Sequence, residues 1–274
     1  MDIKLFIKTI QTVLPKSGFE NYYRGHSDVD FKLTPSIYRD GLIDNEDNIF
    51  KEAIVRTPHE FANCKSTVEK LVKMQHYGVP TRLLDITSNP LVALYFACNK
   101  DKDKNGEVVF FQIPSDHIRF YDSDTVSVLA NIAKRPVNFE IDTAAKIISA
   151  FNETSSIQYL LHEIKEEKPY FQDLVNPKHV EDVFAVKVKL DNQRILKQSG
   201  AFLLFGINAN KSRQSEVSYK WVLNKTDKSL NLIIPLDLKG KILDELNLLG
   251  FNHSTLFPEI ENQGQHLINK YRKS

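Results

Sequence analysis

Cysteine is scarce: Cys64 and Cys98 are the only two in 274 residues. A disulfide framework and a cysteine-rich zinc site are excluded, and two lone thiols suit a reducing cytoplasm. Neither sign of charge dominates, since 36 Lys and Arg face 35 Asp and Glu for a formal net charge of +1. That argues against a polybasic coat for nucleic acid, though a local basic patch stays open. No apolar run approaches the ~18 residues of a membrane span. The longest, Phe202-Leu203-Leu204-Phe205 and Leu230 to Leu236, are strand-sized. Met1-Asp2-Ile3-Lys4 has no basic segment leading into an apolar one, so no signal peptide is expected. The chain also lacks G-x-x-x-x-G-K-S/T, G-x-G-x-x-G, H-E-x-x-H and G-x-S-x-G, and its eight histidines have no ligand spacing. A metal hydrolase is therefore poorly supported and no metal is expected. No repeat, low-complexity stretch or Pro/Gly/Ser-rich linker divides the chain, which reads as one domain over residues 1–274.

What is present is ordinary globular material, 42% hydrophobic and 26% charged, long enough to bury about three quarters of its unfolded surface. Apolar spacing predicts helices over 2–14, 46–62 and 90–99, and Ser66-Thr67-Val68-Glu69 is a capping box opening a helix toward His76. Tyr22 to His26 and Val108 to Ile113 read as strands, Thr81 to Ile86 as a short strand or extended loop, and 123–176 as a helical insertion. After Pro177 the pattern alternates: strands are expected at Val183 to Leu190, Gly200 to Ile207, Ser218 to Leu223 and Leu230 to Pro235. Helices follow at 238–249, with Gly250 just past the end, and from Pro258 with Ile260, Leu267, Ile268 and Tyr271 inward. Without βαβ alternation the class is α+β. Trp221 and 202–205 read as core, and Lys211 to Arg213 as a solvated loop.

Two segments stand out. One is Tyr23-Arg24-Gly25-His26. The other runs Gln75-His76-Tyr77-Gly78-Val79-Pro80-Thr81-Arg82-Leu83-Leu84-Asp85-Ile86-Thr87, then Asn89-Pro90 and Ala93-Leu94-Tyr95-Phe96-Ala97. Polar, titratable side chains concentrated between a helix and a strand are where sites form. The plainer alternative is a turn holding a buried Arg82–Asp85 ion pair.

Tyr23-Arg24-Gly25 and the long Q-H-Y-G-x-P-T-R-L-L-D-x-T-x-N-P-x-x-A-L-Y-F-A match over Gln75–Ala97 resemble the FRG-domain family, named for its (F/Y)-R-G tripeptide. The resemblance implies a core over about 17–113; within the C-terminal strands and helices at 183–274, Asp191 to Phe202 and Thr255 to Pro258 look like the C-terminal part of such proteins. More remotely, the elements are similar to those of mono-ADP-ribosyltransferases. Those enzymes place an Arg at the end of a first strand, a Ser-Thr-Ser-like element on a second, and a catalytic Glu ahead of a third. Here Arg24, Asp85-Ile86-Thr87 and Gln198 stand in the corresponding order, with Gln in place of Glu.

This comparison implies a split, mostly antiparallel sheet and a cleft that binds NAD. Arg24, Gly25, Tyr77, Arg82 and Thr87 would hold the dinucleotide. Arg suits this role through paired hydrogen bonds. Cleavage of the nicotinamide–ribose bond builds an oxocarbenium-like cation that a carboxylate would stabilise. Gln198 cannot supply charge, so Asp85 takes that role, with His76 beside it and Glu216 or Glu259 as weaker candidates. ADP-ribose would pass to a macromolecule, protein or nucleic acid, in a toxin or anti-phage effector with an antitoxin or operon partner and no membrane. The same cleft also fits a non-catalytic nucleotide or nucleic-acid binding module, which the Gln198 replacement favours. Residue by residue, plainer roles stay open: Arg24 as a loop pin, His76 as a helix cap, Tyr77 as packing and Gln198 as a backbone contact.

Overall fold

Helix α1 (Ile3–Gln11) starts where the Asp2 carboxylate accepts a hydrogen bond from the Leu5 amide at 2.8 Å. Strand β1 (Phe19–His26) follows. The single helix expected over 46–62 is two, α2 (Glu46–Arg56) and α3 (Pro58–Phe61). Pro58 lacks the amide to continue the ladder, and Thr57 leaves helical geometry at φ −134°. Ser66 caps α4 (Thr67–His76), while Glu69 reaches back to the Lys65 amide at 2.6 Å. Gly78, at φ +77°, turns the chain out of α4. After β2 (Leu83–Thr87), the Asn89 side chain and Pro90 open α5 (Pro90–Cys98).

Strands β3 (Gly106–Pro114) and β4 (Ile118–Phe120) precede α6 (Asp124–Asn131), α7 (Ile148–Asn152), α8 (Ser155–Glu167) and α9 (Pro177–Val180). Next come β5 (Val183–Lys187), α10 (Gln193–Lys197), β6 (Gly200–Phe205) and a hairpin of β7 (Ile207–Asn208) and β8 (Asn210–Gln214). The strand expected at Ser218–Leu223 is instead a tight turn at Tyr219–Trp221 leading into α11 (Leu223–Thr226), with only Val222 bridging Phe111. The turn seats Trp221 in the core, edge-on to His117 at 5.0 Å. The strand expected at 230–235 shortens to β9 (Ile233–Ile234). Helices α12 (Lys239–Leu248) and α13 (His253–Leu256) follow.

This computed structural model describes residues 2–259 apart from Pro15 and Lys228, and beyond them Gly264, Ile268 and Tyr271. Of the helix expected from Pro258, Ile260 and Leu267 lie outside the described residues. Ile268 and Tyr271 are exposed rather than inward. Among the described residues no helix is long and apolar enough to cross a membrane.

The class is α+β. The main sheet has seven strands in the order β4-β5-β6-β2-β1-β3-β9, antiparallel except for the β4–β5 pair. β1 pairs with β3 along its whole length, from Phe19↔Pro114 to His26↔Glu107. Its pairing with β2 rests on one register position, Tyr23↔Thr87. On one face, apolar cover divides along this weak seam. Helices α1, α5 and α12 pack over Tyr23, Val108 and Phe110. Helices α4, α6 and α8 pack over Leu83, Phe202 and Leu204. The gap between α4 and α5 therefore opens onto the β1–β2 seam.

Gly25 and Gly106 let α5 lie directly on the sheet. A Cβ on Gly25 would sit 2.0 Å from the Ala93 oxygen, and one on Gly106 2.3 Å from the Ala97 oxygen. The glycine of Tyr-Arg-Gly and the alanines of Ala-Leu-Tyr-Phe-Ala thus meet in one packing contact.

Candidate functional site

The gap holds a cleft of about 200 Å³ whose walls include Arg24, Gly25, His76, Asp85, Thr87 and Gln198. Strand β1 brings Arg24, β2 brings Asp85 and Thr87, the end of α4 brings His76, and Gln198 stands just before β6. Arg24 is held on two sides. Its Nη1 donates to the Asp85 main-chain oxygen at 2.6 Å, and its Nε donates to His26 Nε2 at 3.1 Å. The Asp85 carboxylate is 3.9 Å from Nη1. Burial lowers the Arg24 pKa and Asp85 opposes that shift. His26 is 2% exposed, and burial, followed by the neighbouring Arg24 charge, pushes its pKa down to about 3. A neutral His26 is what lets Nε2 accept from Arg24.

Asp85 alternates away from the apolar Leu84 and Ile86, and its side chain is 58% exposed. A relay fixes its carboxylate. The Leu83 amide donates to Thr81 Oγ1 at 3.1 Å, Thr81 Oγ1 donates to Gln75 Oε1 at 2.8 Å, and Gln75 Nε2 donates to Asp85 Oδ2 at 2.9 Å. Thr81 has one hydroxyl proton and the Gln75 amide one acceptor end, so the direction of each bond follows.

His76 ends α4. Arg194 Nη1 donates to its carbonyl at 3.2 Å, and its ring Nε2 meets Glu259 Oε1 at 2.8 Å. Burial holds its pKa below the usual histidine value, with Arg194 adding to the shift and Glu259 and Asp85 opposing it. The Thr87 hydroxyl donates to the Gln198 main-chain oxygen at 2.6 Å and accepts from the Asn89 amide at 3.0 Å. Gln198 Nε2 donates to the Leu256 oxygen at 3.0 Å, a backbone contact.

Two expected site residues are not brought to this cleft. Tyr77 is 64% exposed and lines an adjoining hollow of about 340 Å³ that shares His76, Val72 and Ile195 with it. Arg82 is fully buried and does not pair with Asp85. Its Nε and Nη2 donate to the two oxygens of Glu46 at 2.9 and 2.5 Å. Strand alternation explains this correction: consecutive positions point to opposite sides, so Arg82 and Asp85 diverge. Lys211, expected in a solvated loop, is also fully buried, 3.1 Å from Glu46. It also donates to the Ala133 and Arg135 oxygens. The group formed by Glu46, Arg82 and Lys211 is buried and ties α2 to β8. Glu216 is exposed and does not line the cleft.

Sequence reasoning missed His26, Gln75 and Arg194 as functional groups. His26 and Gln75 adjoin the two singled-out segments, so their place was a usable signal. Arg194 lies in α10, inside the Asp191–Phe202 stretch that resembles the family's C-terminal part, but nothing local marks its side chain as functional.

The family model for the FRG domain matches residues 20–106. Comparison with curated proteins and with solved structures gives no match. The matched span carries Arg24, His26, Gln75, His76 and Asp85, while Arg194, Gln198 and Glu259 follow it. Over residues 20–106 the chain is thus similar to the FRG domain.

Proposed function

We propose that the cleft binds NAD and that the protein is an ADP-ribosyltransferase-like enzyme passing ADP-ribose to a macromolecular acceptor, protein or nucleic acid. One observation carries this reading. Arg24, the Asp85-Ile86-Thr87 element and Gln198 are brought to one cleft by the adjacent strands β1, β2 and β6. That side-by-side placement is what the ADP-ribosyltransferase resemblance requires of elements up to 174 positions apart. It also supports reading the sheet, weakly joined between β1 and β2, as the split sheet of that fold.

The residues fit the chemistry in stated roles. Typical ligand pockets hold about 300–1,000 Å³. The Arg24 cleft alone suits a nicotinamide riboside, and the adjoining hollow past His76 gives the rest of the dinucleotide room. Arg24 holds the ribose or its attached phosphate. In the reaction the C1′–N bond breaks and its electron pair leaves with nicotinamide. A bond then forms from C1′ to the acceptor's nucleophile, which gives up a proton. The Asp85 carboxylate, held by Gln75, balances the cation at C1′. His76, kept neutral by burial, is the group able to take the proton.

A second reading has one observation of its own. Gln198 is uncharged, and its amide is engaged by the Leu256 oxygen. A cleft without a carboxylate at that position suits a binding module that holds a nucleotide or nucleic acid without cleaving it. The enzyme reading includes the role of a bacterial toxin or anti-phage effector acting in the cytoplasm, with an antitoxin or operon partner. Incubation of purified protein with adenosine-labelled NAD and cell lysate separates the two. Label retained on protein or nucleic acid supports the enzyme. Saturable NAD binding without label transfer or nicotinamide release supports the module.

A further inference from the structure

The segment after α13 packs against Phe96 and Arg194 of the first hollow and against His76, which lines both. The Phe257 ring is covered by the Arg194 guanidinium at 4.6 Å and is edge-on to Phe96 at 6.0 Å. Beyond Pro258, the Glu259 carboxylate meets His76 Nε2 at 2.8 Å and lies 3.9 Å from Arg194 Nη1. The Asn192 side-chain amide stands 3.4 Å from the same His76 nitrogen. A guanidinium and an imidazole therefore meet one carboxylate, with the Asn192 carboxamide beside the imidazole; His76 lines both hollows, Arg194 the first and Asn192 the second.

These donors do not distinguish a carboxylate from a phosphate, since both offer oxygens of similar geometry and charge. The contact is also one that can be exchanged. Arg194 and Glu259 side chains are 28% and 30% exposed, and ion pairs open to water hold weakly. The Arg82–Glu46 pair, at 0% and 3%, is not of this kind.

We propose that Arg194, His76 and Asn192 form an anion subsite for a phosphate group of the ligand, and that Glu259 occupies it as an internal competitor. Assignment of that phosphate to the pyrophosphate of NAD rests on the function proposed above; the subsite itself does not. A ligand spanning both hollows has to pass this point, so Glu259 yields its place as the ligand enters.

The test is titration with inorganic pyrophosphate and, separately, with NAD of the wild type, Glu259→Gln, and Glu259→Gln combined with Arg194→Gln. Removing the competing charge is expected to tighten pyrophosphate binding about tenfold, the scale of one charge-assisted contact. The added Arg194→Gln is expected to abolish that gain. Equal affinity of wild type and Glu259→Gln, a gain that survives Arg194→Gln, or no pyrophosphate binding by any variant overturns the subsite. A pyrophosphate gain without NAD binding upholds the subsite and removes the NAD reading. A pyrophosphate gain with NAD bound equally by wild type and Glu259→Gln upholds the subsite and removes its assignment to the NAD phosphates.

Discussion

The guanidinium of Arg24 donates to the main-chain oxygen of Asp85 at 2.6 Å, beside the one register position that joins β1 to β2. A side chain thus ties the strands where ladder bonds give out. The same contact holds the two residues assigned to ligand and cation in fixed relation.

Arg24→Ala is accordingly expected to do two things. It strands the Asp85 oxygen and the His26 ring, which lowers unfolding free energy by about 1–3 kcal/mol. It also weakens nucleotide binding by ~10–150-fold, the range of a charge-assisted contact. Urea unfolding together with a nucleotide titration checks both. A stability loss with unchanged affinity would leave Arg24 only its structural role.

Glu46→Gln leaves Arg82 and Lys211 buried without a counter-charge. Breaking such a group costs about 3–5 kcal/mol, read by urea unfolding. A loss below about 1 kcal/mol would contradict the account of this buried group.

His26 gives a pH dependence with a definite sign. Its folded pKa, about 3, lies below its ordinary 6.5, so between those values the unfolded chain binds the extra proton. Stability is therefore lost as pH falls from 6.5 toward 3, by up to ~1.4 kcal/mol per pH unit from this group. Unfolding measured across that range should show a shallower slope for His26→Asn than for the wild type. Equal slopes would show that His26 is not held neutral.

Gln75→Leu removes the group that orients Asp85 while leaving the carboxylate in place. As a positioning residue it should lower kcat with little change in KM for NAD, and Gln75→Asn should not restore the rate because its amide falls short of Asp85. A KM effect alone would place Gln75 in binding instead.

Much of this was legible in sequence because the informative residues are close together. Gln75, Thr81 and Asp85 fall within one segment, so local chain geometry brings them into a relay. The motif glycine and alanines were legible as a pattern, but the structure gives Gly25, Ala93 and Ala97 a packing role. Arg82 was misread because its partner, Glu46, sits 36 positions earlier in a helix with no distinguishing pattern. Lys211 was misread for the same reason: three successive polar residues look solvated until the fold brings Glu46 to one of them. Arg194 and Glu259 gave no signal as a pair, since their meeting depends on how α10 and the segment after α13 pack against α4.

The central claim is that Asp85 stabilises a cation formed from NAD in this cleft. Its most direct measurement is single-turnover nicotinamide release by folded wild-type and Asp85→Asn protein. Asn keeps the size and the Gln75 contact, and Arg82 does not depend on Asp85, so the variant should fold normally. The account predicts release by the wild type and a ~10²–10³-fold slower rate in the variant, the scale of losing one electrostatic stabiliser. NAD affinity should be nearly unchanged, because the cation exists only in the transition state. Wild-type rates in Asp85→Asn would remove Asp85 from the mechanism, and no release by the wild type would contradict the enzyme reading itself.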